Sequence, residues 1–213
     1  ISDQSKRQRY WSRSALGWAR VGAAQPNESH TALVKLEQAG LLSGVITQNV
    51  DRLHQRAGLQ RVIDLHGRLD RVKCLECGHI TSREAVQRWI KTHNALPNTS
   101  SLTLRPDGDA DLPAHYVSDF NVPQCEVCDG VVMPEVVFFG GTVPRHIVDE
   151  CYQMIDLSKG MLVIGSSLSV YSGLRFCRYA VDQGKPLIIL NQGQTRADDI
   201  CTHKFSEEPF ALL

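Results

Sequence analysis

Two Cys-x-x-Cys pairs carry the clearest chemistry in this 213-residue sequence: Cys74 with Cys77, and Cys125 with Cys128. Each pair places two thiols on one tight turn, and four sulfurs together suit the tetrahedral coordination of one Zn²⁺ ion. Four cysteine ligands leave no coordination position for water, so such an ion stabilises a fold and does not catalyse. The same spacing also fits two disulfides, a thioredoxin-like redox pair or chance, and a structural zinc site is the interpretation we favour.

The segment between the two pairs is unusually long. It spans 47 residues, 78–124, whereas zinc ribbons commonly use roughly 15–20. Residues 92–123 are rich in Pro, Gly, Ser, Thr, Asn and Asp, which predicts loops inserted between the two turns. Gly78 and Gly130 are expected to turn the chain after each pair. The other cysteines stand singly and are expected to be small core residues: Cys151, Cys177 and Cys201.

The composition excludes several classes of protein. Lys plus Arg and Asp plus Glu both number 23, so no net charge favours nucleic acid or a membrane surface. No apolar run approaches the roughly 20 residues of a membrane span. An odd number of cysteines, four of them at metal-binding spacing, indicates a reducing compartment. Because the sequence starts at Ile1 and not at Met, we expect it to begin inside a longer gene product.

Short apolar runs alternate with helical patterns along the rest of the sequence, which is typical of parallel βαβ units. The expected strands are 44–47, 62–65, 136–139, 161–164 and 187–190. Helices are expected from Asn27 to Gly40, after Pro144, and over about residues 172–183. The sequence therefore predicts a parallel α/β sheet that a zinc-binding module interrupts between about residues 70 and 132.

Polar clusters follow several of these strands. They are Gln48-Asn49-Val50-Asp51, His66-Gly67, Gly165-Ser166-Ser167 and Asn191-Gln192-Gly193. Ligands of open parallel sheets bind beyond the carboxyl ends of the strands, so we expect these clusters at one ligand site. Amides, carboxylates and a Gly-Ser-Ser turn suit a carboxamide, ribose hydroxyls and phosphate, and a histidine suits general base work. Taken singly, each cluster also fits an ordinary turn, a helix cap or a structural histidine.

Five strings resemble the sirtuins, which are NAD-dependent protein-lysine deacylases. In order along the chain they are Thr-Gln-Asn-Val-Asp-x-Leu-His (47–54), Leu65-His66-Gly67, the paired Cys-x-x-Cys, Val137-Phe138-Phe139-Gly140 and Gly165-Ser166-Ser167-Leu168-x-Val170. The resemblance covers nearly the whole chain. Residues 7–13, 106–109 and 170–173 further resemble the class II branch, closest to the mitochondrial sirtuin 4 type. The resemblance implies a Rossmann-like domain formed by residues 1–69 and 133–213, a zinc-binding module over 70–132, and a cleft between them.

The resemblance also implies roles for individual residues. His66 matches the catalytic histidine, and one structural Zn²⁺ is implied at the four paired cysteines. The positions that match contacts to NAD are Gln48, Asn49, Val50, Asp51, Gly165, Ser166, Ser167, Asn191, Gln192 and Gly193. The positions that match the two backbone strips on either side of a substrate peptide are Val137, Phe138, Phe139, Gly140, Ser169, Val170 and Tyr171. Tyr10 and Arg13 have the spacing that suits an acidic acyl tail in class II relatives, or else form a solvated helix face. His54 is expected to be structural.

Two departures from the family pattern stand out. The Gly-Ala-Gly-x-Ser strand–helix turn that opens the sirtuin Rossmann fold is not found here, so we expect weak NAD⁺ binding by this chain alone. Gly141 follows Phe138-Phe139-Gly140, where the family usually carries an acidic residue.

The implied activity is transfer of an acyl group from lysine to ADP-ribose, with release of nicotinamide. The alternatives are ADP-ribosyl transfer or NAD hydrolysis at the same site, and a non-catalytic scaffold that binds NAD or acyl-lysine. A zinc-ribbon nucleic-acid binder is disfavoured because the chain lacks a basic excess. Acylated lysines of proteins are the expected partners, without nucleic acid or membrane. A monomer in the mitochondrial matrix is expected.

Overall fold

The structure is a computed structural model that describes residues 3–97, 112 and 114–206. The helices are α1 (Gln4–Ala23), α2 (Glu28–Gln38), α3 (Leu53–Ala57), α4 (Arg83–His93), α5 (Ala114–Ser118), α6 (Arg145–Leu157) and α7 (Tyr171–Asp182). The strands are β1 (Val45–Thr47), β2 (Val62–Asp64), β3 (Gly67–Cys74), β4 (Ile80–Ser82), β5 (Val132–Val136), β6 (Met161–Ile164), β7 (Leu187–Leu190) and β8 (His203–Phe205). The chain divides into two compact units. Unit 1 is Ile1–Ala24 with Arg68–Val136, and unit 2 is Gln25–Gly67 with Val137–Leu213.

Unit 1 is built on a three-stranded sheet of order β4-β3-β5, with β3 and β4 antiparallel. Its core contains Trp11 and Ala15 of α1, side chains of α4 and the strands, and the two cysteines Cys74 and Cys125. Helix α1 therefore belongs with the cysteine pairs. The sequence-based boundaries placed residues 1–69 in the Rossmann part, and the structure moves α1 out of it because Trp11 is buried among the residues of unit 1.

A buried arginine ties α1 to α4 inside unit 1. Arg83 is 1% exposed, and its guanidinium carbon lies 5.5 Å from the ring centre of Trp11 and 4.9 Å from that of Trp18. It donates hydrogen bonds to Gln87 Oε1 (2.6 Å) and to the Ser14 carbonyl (3.2 Å). Burial lowers the pKa of Arg83 to about 10. Two indole faces and two acceptors thus compensate a charge that would otherwise be costly to bury.

Unit 2 contains the predicted parallel α/β architecture in two short sheets. Strands β1 and β2 are parallel, with Thr47 opposite Asp64, and β6-β7-β8 are parallel, with Ile164 opposite Leu190. Two apolar clusters hold α6 and α7 against these strands. The members that are fully buried include Cys151, Leu174, Phe176, Cys177, Leu187 and Ile189. Among the described residues, none of the helices is long and apolar enough to cross a membrane.

The helix predictions are confirmed. Asn27 caps α2, since its side chain accepts a hydrogen bond from the His30 N–H. Helix α6 begins directly after Pro144. Helix α7 begins at Tyr171 and is followed by Gly184, which has a left-handed φ of +69°. These signals are local in sequence, so the sequence alone was sufficient to place them.

Two expectations about secondary structure were wrong. A strand was expected over 136–139, but β5 ends at Val136 and pairs within unit 1. The chain turns there instead, because Gly140 has a φ of +80° and the Gly141 N–H bonds to the Phe138 carbonyl at 2.8 Å. The loop-rich stretch 92–123 also contains α5, and α4 extends into it as far as His93. Residues 98–111 and 113 of that stretch lie outside the described residues.

Candidate active site and zinc site

The four paired cysteines converge in unit 1. Their sulfurs all lie within 4.8 Å of one another, with 3.6 Å between Cys74 and Cys128 and 3.7 Å between Cys77 and Cys125. Four sulfurs placed about 2.3 Å from one Zn²⁺ at tetrahedral angles are about 3.8 Å apart. All four cysteines are free thiols at separations far beyond the roughly 2.05 Å of a disulfide bond. The donor set therefore fits one structural zinc ion and not the disulfide alternative.

The two turns that hold the thiols are built differently. Gly78 follows the first pair with a left-handed φ of +75°, as expected. After the second pair the left-handed residue is Asp129, with a φ of +57°, and not Gly130. A Cβ at Gly130 would lie 2.7 Å from the Glu76 carboxylate, so a larger residue there would displace that side chain. That carboxylate accepts a hydrogen bond from the Val131 N–H at 3.2 Å, which links one turn to the other.

Within the crowded group of four thiols, the pKa values of Cys74 and Cys128 move in opposite directions. A hydrogen bond from the Cys77 N–H lowers the pKa of Cys74 to about 6. The Gly130 N–H acts in the same direction on Cys128, but the neighbouring thiols of Cys77 and Cys74 outweigh it and raise the pKa of Cys128 to about 12. Four thiolates would therefore repel one another strongly, and a divalent cation would relieve that repulsion.

The remaining cysteines are confirmed as packing residues, two of them fully buried and Cys201 at the edge of the apolar cluster that contains Cys177. Burial raises the pKa of Cys151 to about 12 and that of Cys177 to about 11, which makes both thiols unreactive. Cys201 is half-buried, and its sulfur lies 3.4 Å from the Asp198 carbonyl.

In unit 2, the register of β1 and β2 brings Gln48 and His66 to the same sheet edge. The Leu65 N–H bonds to the Thr47 carbonyl at 2.9 Å, and His66 follows directly. Nδ1 of His66 lies 3.1 Å from the Gln48 carbonyl oxygen. Because a carbonyl oxygen only accepts hydrogen bonds, Nδ1 carries the proton, and Nε2 of the neutral ring carries the lone pair.

The second sheet presents its polar turn at the corresponding edge. The Gly165 N–H bonds to the Leu190 carbonyl at 2.9 Å, and Gly165 has a φ of +60°. Ser166 Oγ then accepts hydrogen bonds from the Leu168 N–H (3.2 Å) and from Gln48 Nε2 (3.0 Å). The Gln48 side chain thus joins the edge of the β1–β2 sheet to the turn after β6.

The first turn of α7 contacts both His66 and Gln48. Nε2 of His66 lies 2.8 Å from Ser172 Oγ. A Cβ on Gly173 would lie 2.8 Å from Gln48 Oε1, so only glycine allows Gln48 its observed position. Sequence reasoning assigned no role to Ser172 or Gly173, since nothing near them in sequence indicates contact with residues 48 and 66.

The other predicted cofactor residues are placed as follows. Asn49 is exposed, and its N–H bonds to Thr47 Oγ1 at 3.1 Å. Asp51 Oδ1 accepts a hydrogen bond from the N–H of Leu53, the first residue of α3, at 3.0 Å, so its carboxylate closes the turn that precedes this helix. Val50 between them is half-buried. Asn191 continues from β7 and donates from Nδ2 to the Gly193 carbonyl at 2.9 Å, while Gln192 and Gly193 are exposed.

The two predicted substrate strips both lie in unit 2. Along 137–140, the Val137 N–H bonds to the His66 carbonyl at 2.9 Å, and Phe139 is fully exposed. Along 169–171, Val170 and Tyr171 are exposed by 45% and 55%. Arg196 supports this second strip, because its guanidinium donates to the Ser169 carbonyl at 2.7 Å. Apolar side chains are thus exposed beside the segment that carries the polar turn.

Gly141 makes the turn after Phe138-Phe139-Gly140 tighter than a larger residue allows. A Cβ at this position would lie 2.9 Å from the Phe138 carbonyl. The acidic residue that is usual in the family would therefore require this turn to open.

Tyr10 and Arg13 belong to unit 1, whereas His66 belongs to unit 2. They lie one turn apart on α1 and are half-buried. Burial raises the pKa of Tyr10, and the Tyr10 ring meets Trp11 edge-on at 5.4 Å.

A pair of histidines packs beside the start of α3. The rings of His30 and His54 are 4.7 Å apart, and His30 Nε2 and His54 Nδ1 are buried without a hydrogen-bond partner. Burial lowers the pKa of both rings. His54 therefore contacts another histidine of unit 2, His30 of α2.

Comparison with known proteins places the chain among the sirtuins. "NAD-dependent protein deacetylase 2" of Bradyrhizobium diazoefficiens is 47% identical over 213 residues, which cover 100% of this chain and 78% of the relative. "NAD-dependent protein deacetylase 1" of Streptomyces coelicolor is 49% identical over 192 residues, which cover 90% of this chain and 64% of the relative. A mitochondrial location is therefore wrong for this chain, because these relatives are proteins of bacteria, which have no mitochondria.

Solved structures agree with this placement. The structure described as "Sir2-p53 peptide-NAD+" is 34% identical with a TM-score of 0.72, and the match covers 89% of this chain and 68% of that one. "Sir2 bound to acetylated peptide" is 33% identical with a TM-score of 0.72, and covers 91% and 70%. A model of the Sir2 family matches residues 1–172. With the Rossmann-like fold of unit 2 and the cysteine cluster of unit 1, these matches show that the chain belongs to the Sir2 family of NAD-dependent protein deacetylases.

Proposed function

We propose that this chain removes acetyl and other acyl groups from protein lysines in an NAD-dependent reaction, with His66 as the general base. The observation that carries the proposal is the state of His66. Its Nδ1 proton is held by the Gln48 carbonyl, so Nε2 is the nitrogen able to accept a proton. The names of the bacterial relatives support deacetylation, and the acyl range beyond acetyl is our extension.

The residues after β1, β6 and β7 fit NAD⁺. A Cβ at Gly165 would point into open space. Ser167, in the same turn after β6, and Asn49, after β1, are both exposed. Open space at a glycine, hydroxyls and amides suit phosphate and ribose. We propose that Gln48, Asn49, Val50 and Asp51 face the nicotinamide end. Gly165 to Ser167 would hold the phosphates and ribose, and Asn191 to Gly193 the adenosine ribose.

The chemistry then divides between cosubstrate and protein. NAD⁺, when bound, supplies the ADP-ribosyl group that receives the acyl group, and nicotinamide leaves. His66 would accept a proton from a ribose hydroxyl at Nε2, while the Gln48 carbonyl keeps the Nδ1 proton in place. The imidazolium that forms can donate at both nitrogens, so the Gln48 contact persists throughout.

Protein substrates would bind as an added strand. We propose that 137–140 and 169–171 line the acyl-lysine peptide, which supplies main-chain hydrogen bonds in the manner of β-augmentation. The exposed side chains of Phe139, Val170 and Tyr171 give such a peptide apolar contacts. Solved relatives bound to p53 or acetylated peptide are consistent with this class of substrate. Tyr10 and Arg13 are our candidates for contact with an acidic acyl tail.

We further propose that unit 2 is the Rossmann domain and unit 1 the zinc-binding small domain. Within the family, the strings at 7–13 and 170–173 favour the class II branch and a sirtuin 4 type of sequence. The third string that carried this assignment, 106–109, lies outside the described residues.

The test measures nicotinamide release and acyl transfer on the same samples, across peptides that carry different acyl-lysines. His66→Ala should lower acyl transfer by roughly 10²–10⁴-fold, as expected for loss of a general base. It should keep its zinc and its melting temperature. His146→Ala, which removes an exposed histidine of α6, is the matched control and should behave as the unmodified chain.

The same assay separates the alternatives. Nicotinamide release without acyl transfer would replace deacylation by NAD hydrolysis or ADP-ribosyl transfer. Binding of NAD⁺ and acyl peptide without any nicotinamide release would indicate a non-catalytic scaffold. Unfolding of His66→Ala would make the histidine a core residue and remove the basis of the mechanism.

A further inference from the structure

The ring of His66 is held at both nitrogens by residues that are distant in sequence. The Gln48 carbonyl accepts from Nδ1 at 3.1 Å, and Ser172 Oγ lies 2.8 Å from Nε2. Because Nδ1 carries the proton, Nε2 of the neutral ring can only accept, so the Ser172 hydroxyl is the donor. The first contact selects the tautomer. The second fixes the rotation of the ring about its bond to the backbone.

Ser172 is well placed to hold a ring because its backbone is rigid. It is the second residue of α7, a helix of 12 residues. The next residues, Gly173 and Leu174, are buried, and Phe176 is only 1% exposed. Gly173 also lies against the Gln48 side chain, whose backbone carbonyl holds the other side of the ring. The position of the hydroxyl is therefore set by the core of unit 2 and not by a mobile loop.

We propose that Ser172 orients His66 and passes the ribose proton to it, an inference that rests on His66 being the base of the proposed reaction. With the hydroxyl present, two hydrogen bonds on opposite sides of the ring fix the direction of the Nε2 lone pair. Without it, the ring can pivot about the Gln48 contact. Nε2 has a single lone pair, and the Ser172 hydroxyl already donates to it. A ribose hydroxyl would therefore donate to Ser172 Oγ while the Ser172 proton passes to Nε2, whereas departure of nicotinamide uses neither transfer.

The kinetic test compares Ser172→Ala, Ser172→Thr and the control Ser158→Ala. Ser158 also carries its hydroxyl at a helix end of unit 2, where it donates to the Ile155 carbonyl at 2.8 Å. Loss of one neutral hydrogen bond predicts that Ser172→Ala lowers kcat for acyl transfer by roughly tenfold. The KM for peptide and nicotinamide exchange should stay unchanged. Ser172→Thr keeps a hydroxyl and should retain most of the activity, as should Ser158→Ala.

A second readout does not depend on turnover. The ¹⁵N NMR signals of the His66 ring, measured without NAD⁺ or peptide, should show an Nδ1–H ring in the unmodified chain. In Ser172→Ala the Nε2 signal should move because its donor is gone, while the Nδ1 signal and the melting temperature stay in place. An unmoved Nε2 signal overturns the proposal, as does full acyl transfer by Ser172→Ala or an equal loss in Ser172→Thr. If the unmodified chain transfers no acyl group, the proposed function fails, and the NMR comparison still decides whether Ser172 holds the ring.

Discussion

Removal of zinc should unfold unit 1 and leave unit 2 folded. The four ligands join two turns that are far apart in sequence, and Cys74 and Cys125 are also members of the core of unit 1. Without a cation, that core would contain two thiols whose partners, Cys77 and Cys128, are exposed. Hydrogen bonds such as that from the Val131 N–H to Glu76 would then hold the first turn to the second without coordination bonds.

The expected size of the effect follows from the small core. The apolar cluster of unit 1 has nine buried residues among those described, and two of them are the ligands themselves. Structural zinc contributes roughly 10–16 kcal/mol in zinc-finger peptides, whereas the net stability of a whole domain is about 5–15 kcal/mol. Loss of the ion is therefore comparable to, or larger than, the entire stability of unit 1.

The assay can observe unit 1 alone. The three tryptophans of the chain, Trp11, Trp18 and Trp89, all lie in this unit. Trp11 is 1% exposed. A strong zinc chelator should therefore shift tryptophan emission to longer wavelength, while far-UV circular dichroism keeps the contribution of α2, α6 and α7. Readdition of Zn²⁺ should reverse the shift.

Variants and metal analysis complete the test. Cys77→Ala should lose zinc and show the shifted emission without chelator. Cys201→Ala, a half-buried cysteine of unit 2 outside the cluster, should keep one zinc per chain and the original emission. Unchanged emission in protein shown by metal analysis to be free of zinc would refute the reasoning, because the apolar cluster would then suffice by itself.

Two further predictions concern unit 2. Gly173→Ala should displace the Gln48 amide from Ser166 and lower acyl-transfer kcat/KM by roughly tenfold. The free energy of unfolding measured in urea should change by no more than about 1 kcal/mol, because alanine is a better helix former than glycine. The second concerns pH: burial lowers the pKa of His30 and His54, against the opposing charges of Asp51 and Asp64, so folding favours the neutral rings. The contribution of the two neutral rings to the free energy of unfolding should be fully present above the unfolded pKa of about 6.5 and should be lost as the pH falls below it. Between about pH 7.5 and about pH 5.5, the free energy of unfolding measured in urea should therefore fall less in His54→Phe than in the unmodified chain.

Features specified by short spacings could be predicted from the sequence. The Cys-x-x-Cys turns, the Asn27 cap and the glycine after α7 each depend on residues within a few positions of one another. The polar edge was also predictable, because strands of parallel βαβ units direct their carboxyl ends to one side. The register of β1 with β2 places Gln48 and His66 together as that rule requires.

The predictions were wrong for segments that could pack in either of the two units. An apolar run at 136–139 fits a buried parallel strand, but the strand forms earlier, over Val132–Val136, within the sheet of unit 1. The boundaries expected from the sequence placed residues 1–69 in the Rossmann part, and no local signal indicates that Trp11 of α1 packs among the core residues of unit 1. The unit in which a strand or helix packs depends on which side chains fill the core of that unit. Periodicity along the sequence does not contain that information.

The immediate surroundings of His66 show why a motif is only part of a site. Leu-His-Gly identifies the histidine, but three separate segments decide what its ring can do: the carbonyl of Gln48, the hydroxyl of Ser172, and the Ser166 turn that fixes the Gln48 side chain. The Gln48 side chain and the start of α7 lie close together because Gly173 leaves room for the glutamine amide. A substitution on α7 can therefore alter the base without touching any residue of the motif. Substitutions at the start of α7 should thus change acyl transfer as strongly as substitutions next to the motif.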